Sequence, residues 1–172
     1  GNLLDNGSLK VSGKDIAGNQ SYAMQSIKLV KDITAPAIDP ASISITDTSA
    51  STTRAYSAGN NEYWVNKTKS FTISGISSDT AGENIVSSGI AVTKLVISSD
   101  SSFPENSSTH TAYTTSDPMN WSFAVTDLNS FGTASEVFAK ITTVDLAGNS
   151  NSQNPTILTI KFDQIPPAKN GA

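Results

Sequence analysis

The stretch "EVFAKITTVDLAGNS" (136–150) sets the architecture. Over its first nine residues Val137, Ala139 and Ile141 fall on one side, and Phe138, Lys140 and Thr142 on the other. That period of two is the mark of a half-buried strand. The remainder, Asp145 to Asn149, is a tight-turn recipe: Asp and Asn bond their own backbone, and Gly148 supplies a positive φ. Alternation then resumes in "TILTIKF" (156–162), with Leu158, Ile160 and Phe162 opposite Thr159 and Lys161.

Outward from this strand–turn–strand the same pattern recurs. Ile43 and Ile45 alternate in "SISIT" (42–46), and Phe71 and Ile73 in "KSFTISG" (69–75), which ends at Gly75. Trp121, Phe123 and Val125 alternate in "NWSFAV" (120–125). "GIAVTKLVIS" (89–98) is apolar on both faces, so alternation does not give its register, and a further short strand is expected near 111–115. Helical periodicity is nearly absent. Short strands separated by Gly, Asn, Asp and Ser clusters predict an all-β sandwich of about seven strands. Two long polar connections, 47–62 and 99–119, read as mobile first and functional second.

Composition narrows the function. The chain has 172 residues, of which 37% are hydrophobic and 15% charged, with a net charge of −4. Without a Lys/Arg cluster it offers no basic footprint for nucleic acid or anionic membranes, and no apolar run is long enough for a membrane helix. Cysteine is absent, so neither disulfides nor thiol chemistry are available. His110 is the single histidine and falls in a polar connection, which leaves no zinc set and no ready Ser-His-Asp triad. The expectation is a protein that is not an enzyme.

The turn phrase occurs twice: "GKDIAGNQ" (13–20) anticipates "TVDLAGNS" (143–150). A second echo follows each copy, "IKLVKDITAP" (27–36) and "LTIKFDQIPP" (158–167), and Asp15 precedes Asp32 by 17 residues while Asp145 precedes Asp163 by 18. Such self-similarity predicts a tandem array. Residues 1–31 read as the last strand pair of a preceding sandwich, 32–163 as a complete one, and 164–172 as the linker to the next. Two strands alone are marginal in water. The pair is therefore expected to fray or to pack on another molecule as a strand-swapped oligomer. Pro36 and Pro40, with Pro166 and Pro167, bias the joints toward extended backbone and make the array a rod.

Taken together, "SGI" (88–90), "NWSF" (120–123), "VDLAGN" (144–149), "DITAP" (32–36) and "DQIPP" (163–167) resemble the bacterial immunoglobulin-like repeats of large surface adhesins and cell-envelope proteins. The likeness covers 32–167 fully and 1–31 as a partial second copy, and at this length the unit is longer than the usual repeat. It implies an immunoglobulin-like Greek-key sandwich acting as an extracellular, stalk-forming spacer at the bacterial surface. Its partners would be neighbouring repeats, and calcium would often stiffen the joints.

In a sandwich of that kind, chain direction alternates from strand to strand. The connection after the second strand (with Asp79), the turn after the sixth (with Asp145) and the incoming linker (with Asp32) should then meet at one pole. Calcium takes about six to eight oxygen ligands at flexible geometry, and Asn149, Glu83 and backbone carbonyls could complete the set. Asp15 and Asp163 would be equivalent ligands at junctions whose other halves lie outside this chain. Turn chemistry alone accounts for the same residues, so both explanations stand at this point. A rival function is recognition of a cell-surface glycan or protein through 99–119, with Trp64, Phe103 and Tyr113 stacking on the ligand. Against it, Trp64 and Trp121 read first as core aromatics, and exposure decides between the two.

Overall fold

The computed structural model describes residues 8–26, 32–47, 53–54, 62–66, 70–80, 87–104 and 108–163. Among these residues the regular structure is all β apart from one short 3-10 turn, Asn129–Phe131. The first strands, β1 (Ser8–Lys14) and β2 (Gln20–Ser26), form an antiparallel hairpin that is a two-stranded sheet of its own. The other strands are β3 (Ala37–Asp47), β4 (Thr53–Arg54), β5 (Glu62–Val65), β6 (Phe71–Ser78), β7 (Ile90–Ser98), β8 (Ser108–Thr114), β9 (Asn120–Val125), β10 (Glu136–Asp145) and β11 (Thr156–Phe162). They form a four-stranded sheet in the order β4-β3-β6-β9 and a five-stranded sheet in the order β5-β11-β10-β7-β8.

The two sheets bury a common core between them. Ile45, Phe71, Ile73, Trp121 and Val125 contribute from one sheet, and Leu95, Ile97, Val137, Ile141, Leu158 and Ile160 from the other, all shielded from solvent. Alternation is strict where the sequence predicts it. Val137, Ala139 and Ile141 of β10 point inward, while Phe138, Lys140 and Thr142 lie outward and half-buried. The ambiguous segment 89–98 resolves in the same way, with Thr93, Leu95 and Ile97 inward and Lys94 and Val96 outward.

Several expectations need correction. The strand at 69–75 does not end at Gly75: β6 runs on to Ser78, and its pairing with β9 sets Gly75 opposite Trp121. A Cβ at position 75 would lie 2.4 Å from the indole Cζ2, so the missing side chain is what lets the ring lie over the strand. A glycine inside a strand often marks such a close approach. Trp121 is held there by its indole N–H, which donates to the buried Ser77 hydroxyl at 2.9 Å. The strand at 42–46 is longer than its alternating centre and takes in Pro40, assigned above to the linker. The ring falls where the β3–β6 register breaks between Asp39 and Ser44, so no ladder bond is lost.

The connection 47–62 is also not loop throughout. It contains β4 and delivers β5, which adds parallel to β11 (Lys161 opposite Trp64). Most of the second half of 99–119 is β8, an edge strand on β7, so His110 sits half-buried in a strand rather than in a loop. Trp121 is a core residue as expected. Trp64 is not: Tyr63 and Val65 take the inward face of β5, and Trp64, of opposite parity, is 52% exposed.

Candidate metal centre

Strand parity places two of the three carboxylates. On β6 the inward residues are Phe71, Ile73, Gly75 and Ser77, and Asp79 continues that series one residue past the strand end. On β10 the inward series Val137, Ala139, Ile141 and Thr143 closes with Asp145, which is 2% exposed. Each strand thus ends its hydrophobic stripe with an acid facing into the mouth of the sandwich. A register shift between Val144 and Asp145 breaks the ladder to β7 at this point, where such irregularities re-aim side chains. Asp32 arrives from the segment leading into β3. One carboxylate oxygen from each of Asp32, Asp79 and Asp145 lies within 4.8 Å of the others. The three sequence-predicted acids therefore do meet, although they are remote along the chain.

Hydrogen bonds fix all three. Asp145 clamps Asn149 twice, Oδ1 accepting from the Asn149 N–H and Oδ2 from its side-chain amide, both at 2.7 Å. The same amide donates to the Asp32 carbonyl at 3.2 Å, so Asn149 ties the turn to the incoming segment. Asp32 accepts from the Thr34 N–H (3.0 Å) and the Ser88 N–H (2.7 Å), one on each oxygen. The Ser88 hydroxyl, followed by the Thr34 and Ser88 N–H groups, holds the Asp32 carboxyl below the usual carboxylate range. Asp79 Oδ2 accepts from the Ser87 hydroxyl (2.9 Å) and the Gly89 N–H (2.8 Å).

Counting acceptor capacity shows what is left over. An ionised carboxylate offers about four lone-pair sites. Asp79 uses two, both on Oδ2, so that its Oδ1 is buried without any hydrogen-bond partner. Among the described residues no lysine or arginine pairs with these acids, and the one salt bridge is Lys161–Glu62. A buried anionic oxygen with neither donor nor counter-charge is costly. A hard, oxygen-seeking cation placed among the three acids would give the Asp79 carboxylate a counter-charge and cancel their mutual repulsion. The donor set, all oxygen, suits calcium, magnesium or manganese and not a thiolate-seeking metal.

Asn149 is brought to the centre, but its amide nitrogen is committed as a donor. Its side-chain oxygen is the atom that remains for a metal. Glu83 lies outside the described residues. Asp15 repeats the clamp on its own hairpin: its two oxygens accept from the Asn19 N–H and side-chain amide, both at 2.8 Å, and Gly18 has φ 93° where Gly148 has 92°. The Asn19 amide and N–H hold the Asp15 carboxyl below its usual range. Neither Asp15 nor Asp163 joins an acidic group among the described residues. The turn chemistry is thus present in both copies, and only at Asp145 does it sit beside two further acids.

The residues put forward for recognition lie on the outer face of the five-stranded sheet. Trp64 on β5 and Tyr113 on β8 are 52% and 63% exposed, and Phe103 is half-buried in the β7–β8 connection. Lysine ammoniums cover all three rings, Lys161 over Trp64, Lys140 over Phe103 and Lys94 over Tyr113. Sequence reading missed these lysines as a group, because their proximity depends on cross-strand register rather than on spacing.

Compared with known proteins, the chain matches no protein-family model, and no curated protein sequence is similar to it.

Proposed function

We propose that this chain is a non-catalytic spacer, an immunoglobulin-like module from a tandem array in a bacterial surface adhesin or envelope protein. Calcium at Asp32, Asp79 and Asp145 stiffens its joint with the preceding repeat. The observation that carries this reading is the meeting of three acids from three segments, one of them the segment that leads in from the β1–β2 hairpin. The matching clamps at Asp15–Asn19 and Asp145–Asn149 support a duplicated unit. No helix among the described residues is long and apolar enough to cross a membrane.

The mechanism is mechanical. Without a cation, three like charges oppose the seating of Asp32 against Asp79 and Asp145, while hydrogen bonds from Ser88 and Asn149 tie the lead-in segment down. With a cation, the same acids become a bracket between that segment and both sheets. Calcium binds the folded chain and not the unfolded one, so at about 100 times its Kd it adds about 2.7 kcal/mol of stability. For a chain of this size that is a rise of roughly 5–11 °C in Tm. Melting in calcium against chelator measures it. An unchanged Tm, or an equal rise in the Asp145→Ala variant, defeats the metal reading.

A second reading, a recognition module, is favoured by one observation: Tyr113 and Trp64 present largely exposed rings on the outer sheet face.

A further inference from the structure

The described part of the β7–β8 connection, residues 99–104, folds back over the outer face of the five-stranded sheet. Asp100 organises it: its Oδ1 accepts from the Ser102 N–H and hydroxyl, both at 2.8 Å, and its carbonyl accepts from the Phe103 N–H at 3.1 Å. Phe103 then adopts φ 52°, the left-handed region that bulky residues avoid. That unfavoured backbone directs the ring toward β10, where the Lys140 ammonium lies 4.4 Å from its centroid. Beside it, Lys94 of β7 stands opposite Tyr113 of β8 and places its ammonium 5.4 Å from that ring.

Between these groups lies a pocket of about 390 Å³, at the small end of ligand sites, which run from roughly 300 to 1,000 Å³. Among the described residues, Lys94 and Lys140 are its charged lining. Lys140 pairs across the ladder with Val96 and Lys94 with Thr142, which makes the two lysines diagonal neighbours whose flexible stems can reach one anion. The chain as a whole carries 15 acids against 11 basic residues, so a pocket whose described charged residues are two lysines runs against its overall charge. Lys161, on the same face, differs: it is bound to Glu62 at 2.8 Å. Hydroxyls of Thr111, Thr142 and Ser152 line the pocket, and Phe103 and Pro104 give it an apolar wall.

We propose that this pocket binds a carboxylate-bearing sugar. The carboxylate pairs with Lys94 and Lys140, the ring hydroxyls meet Thr111, Thr142 and Ser152, and the apolar C–H face lies against Phe103 and Pro104. An inorganic anion would leave the apolar wall unused, and a neutral sugar would leave both ammoniums without a counter-charge. The inference rests on the recognition reading and is independent of calcium.

The test is an amide NMR titration of this chain, in chelator, with sialyllactose and digalacturonate, alongside lactose and tetraglutamate. Either acidic sugar should shift the resonances of Lys94, Phe103, Lys140 and Ser152, and lactose should not. Lys94→Gln with Lys140→Gln should weaken binding by about tenfold or more, the loss expected when charge-assisted bonds are removed. Lys161→Gln should leave it unchanged. Shifts by neither acidic sugar, equal shifts by lactose, stronger binding of tetraglutamate, or full binding by the double lysine variant would each overturn the proposal. None of these outcomes touches the spacer reading, whose test is the calcium-dependent melt.

Discussion

Replacing Gly75 by Ala tests the packing that carries Asp79 to its place. The added Cβ would fall 2.4 Å from Trp121 Cζ2, 2.7 Å from Cη2 and 3.1 Å from Cε2. Unstrained carbon contacts need about 3.5–4.0 Å, so the indole must retreat by about 1 Å. It has little room, because it is 1% exposed and stacks on Phe123 with ring centroids 5.8 Å apart. Overpacking of this kind costs about 1–3 kcal/mol. A tilted ring also strains the bond from its N–H to Ser77, and a buried donor left unpaired costs about 1–3 kcal/mol more. The sum, about 2–6 kcal/mol, predicts a fall in Tm of roughly 4–24 °C at 2–4 °C per kcal/mol. Urea or thermal unfolding followed by tryptophan fluorescence reads it, since the indole of Trp121 is buried and that of Trp64 is not. Ser77→Ala should show the hydrogen-bond part alone, a loss of about 1–3 kcal/mol. A Gly75→Ala protein that melts within about 2 °C of the parent, a difference worth under roughly 1 kcal/mol, would refute the placement of the ring. It would also refute the continuation of β6 toward Asp79.

Other predictions bear on the acidic pole. Asn149→Ala removes a donor from a carboxylate that is 2% exposed, and should cost about 1.5–3 kcal/mol in chelator by urea unfolding; no loss would mean the clamp is decorative. Folding lowers the Asp32 carboxyl below its ordinary value, so its contribution is present above the unfolded pKa of about 3.9 and is lost as pH falls through the folded value. In chelator, a carbon-detected NMR titration should give Asp32 a midpoint below about 3.9, and the stability gap between parent and Asp32→Asn should close in that same acid window. A midpoint at or above the ordinary value would contradict the hydrogen bonds from Ser88 and Thr34.

Much of this was legible in the residues because two rules act locally. Alternation named the core face of β10, β9 and the centre of β6, and it extends one step further to the inward positions of Asp79 and Asp145. The Asp-x-Ala-Gly-Asn phrase fixed both turns, since its hydrogen bonds join residues four apart. What stayed hidden depends on distant partners. The four residues of β5 are too few for alternation to declare a strand, and their parallel pairing to β11 is a tertiary fact. Tyr63 and Trp64 are adjacent, so one had to face outward; the parity of Val65 is the signal that could have chosen Tyr63 for the core. Gly75 looked like a strand end because the ring that replaces its side chain comes from Trp121, far along the chain. The second task of Asn149, donating to the Asp32 carbonyl, likewise joins segments 117 residues apart.

Calcium binding followed by isothermal titration, in parent and in Asp79→Asn, probes the acidic pole most directly. Asp79 carries the one carboxylate oxygen of the three acids that is buried without a donor. The parent should bind calcium at a single site in this centre, and Asp79→Asn, which keeps the side-chain shape, should bind at least about tenfold more weakly, a loss of 1.4 kcal/mol or more. Absence of binding in the parent, or equal affinity in the variant, would contradict the account.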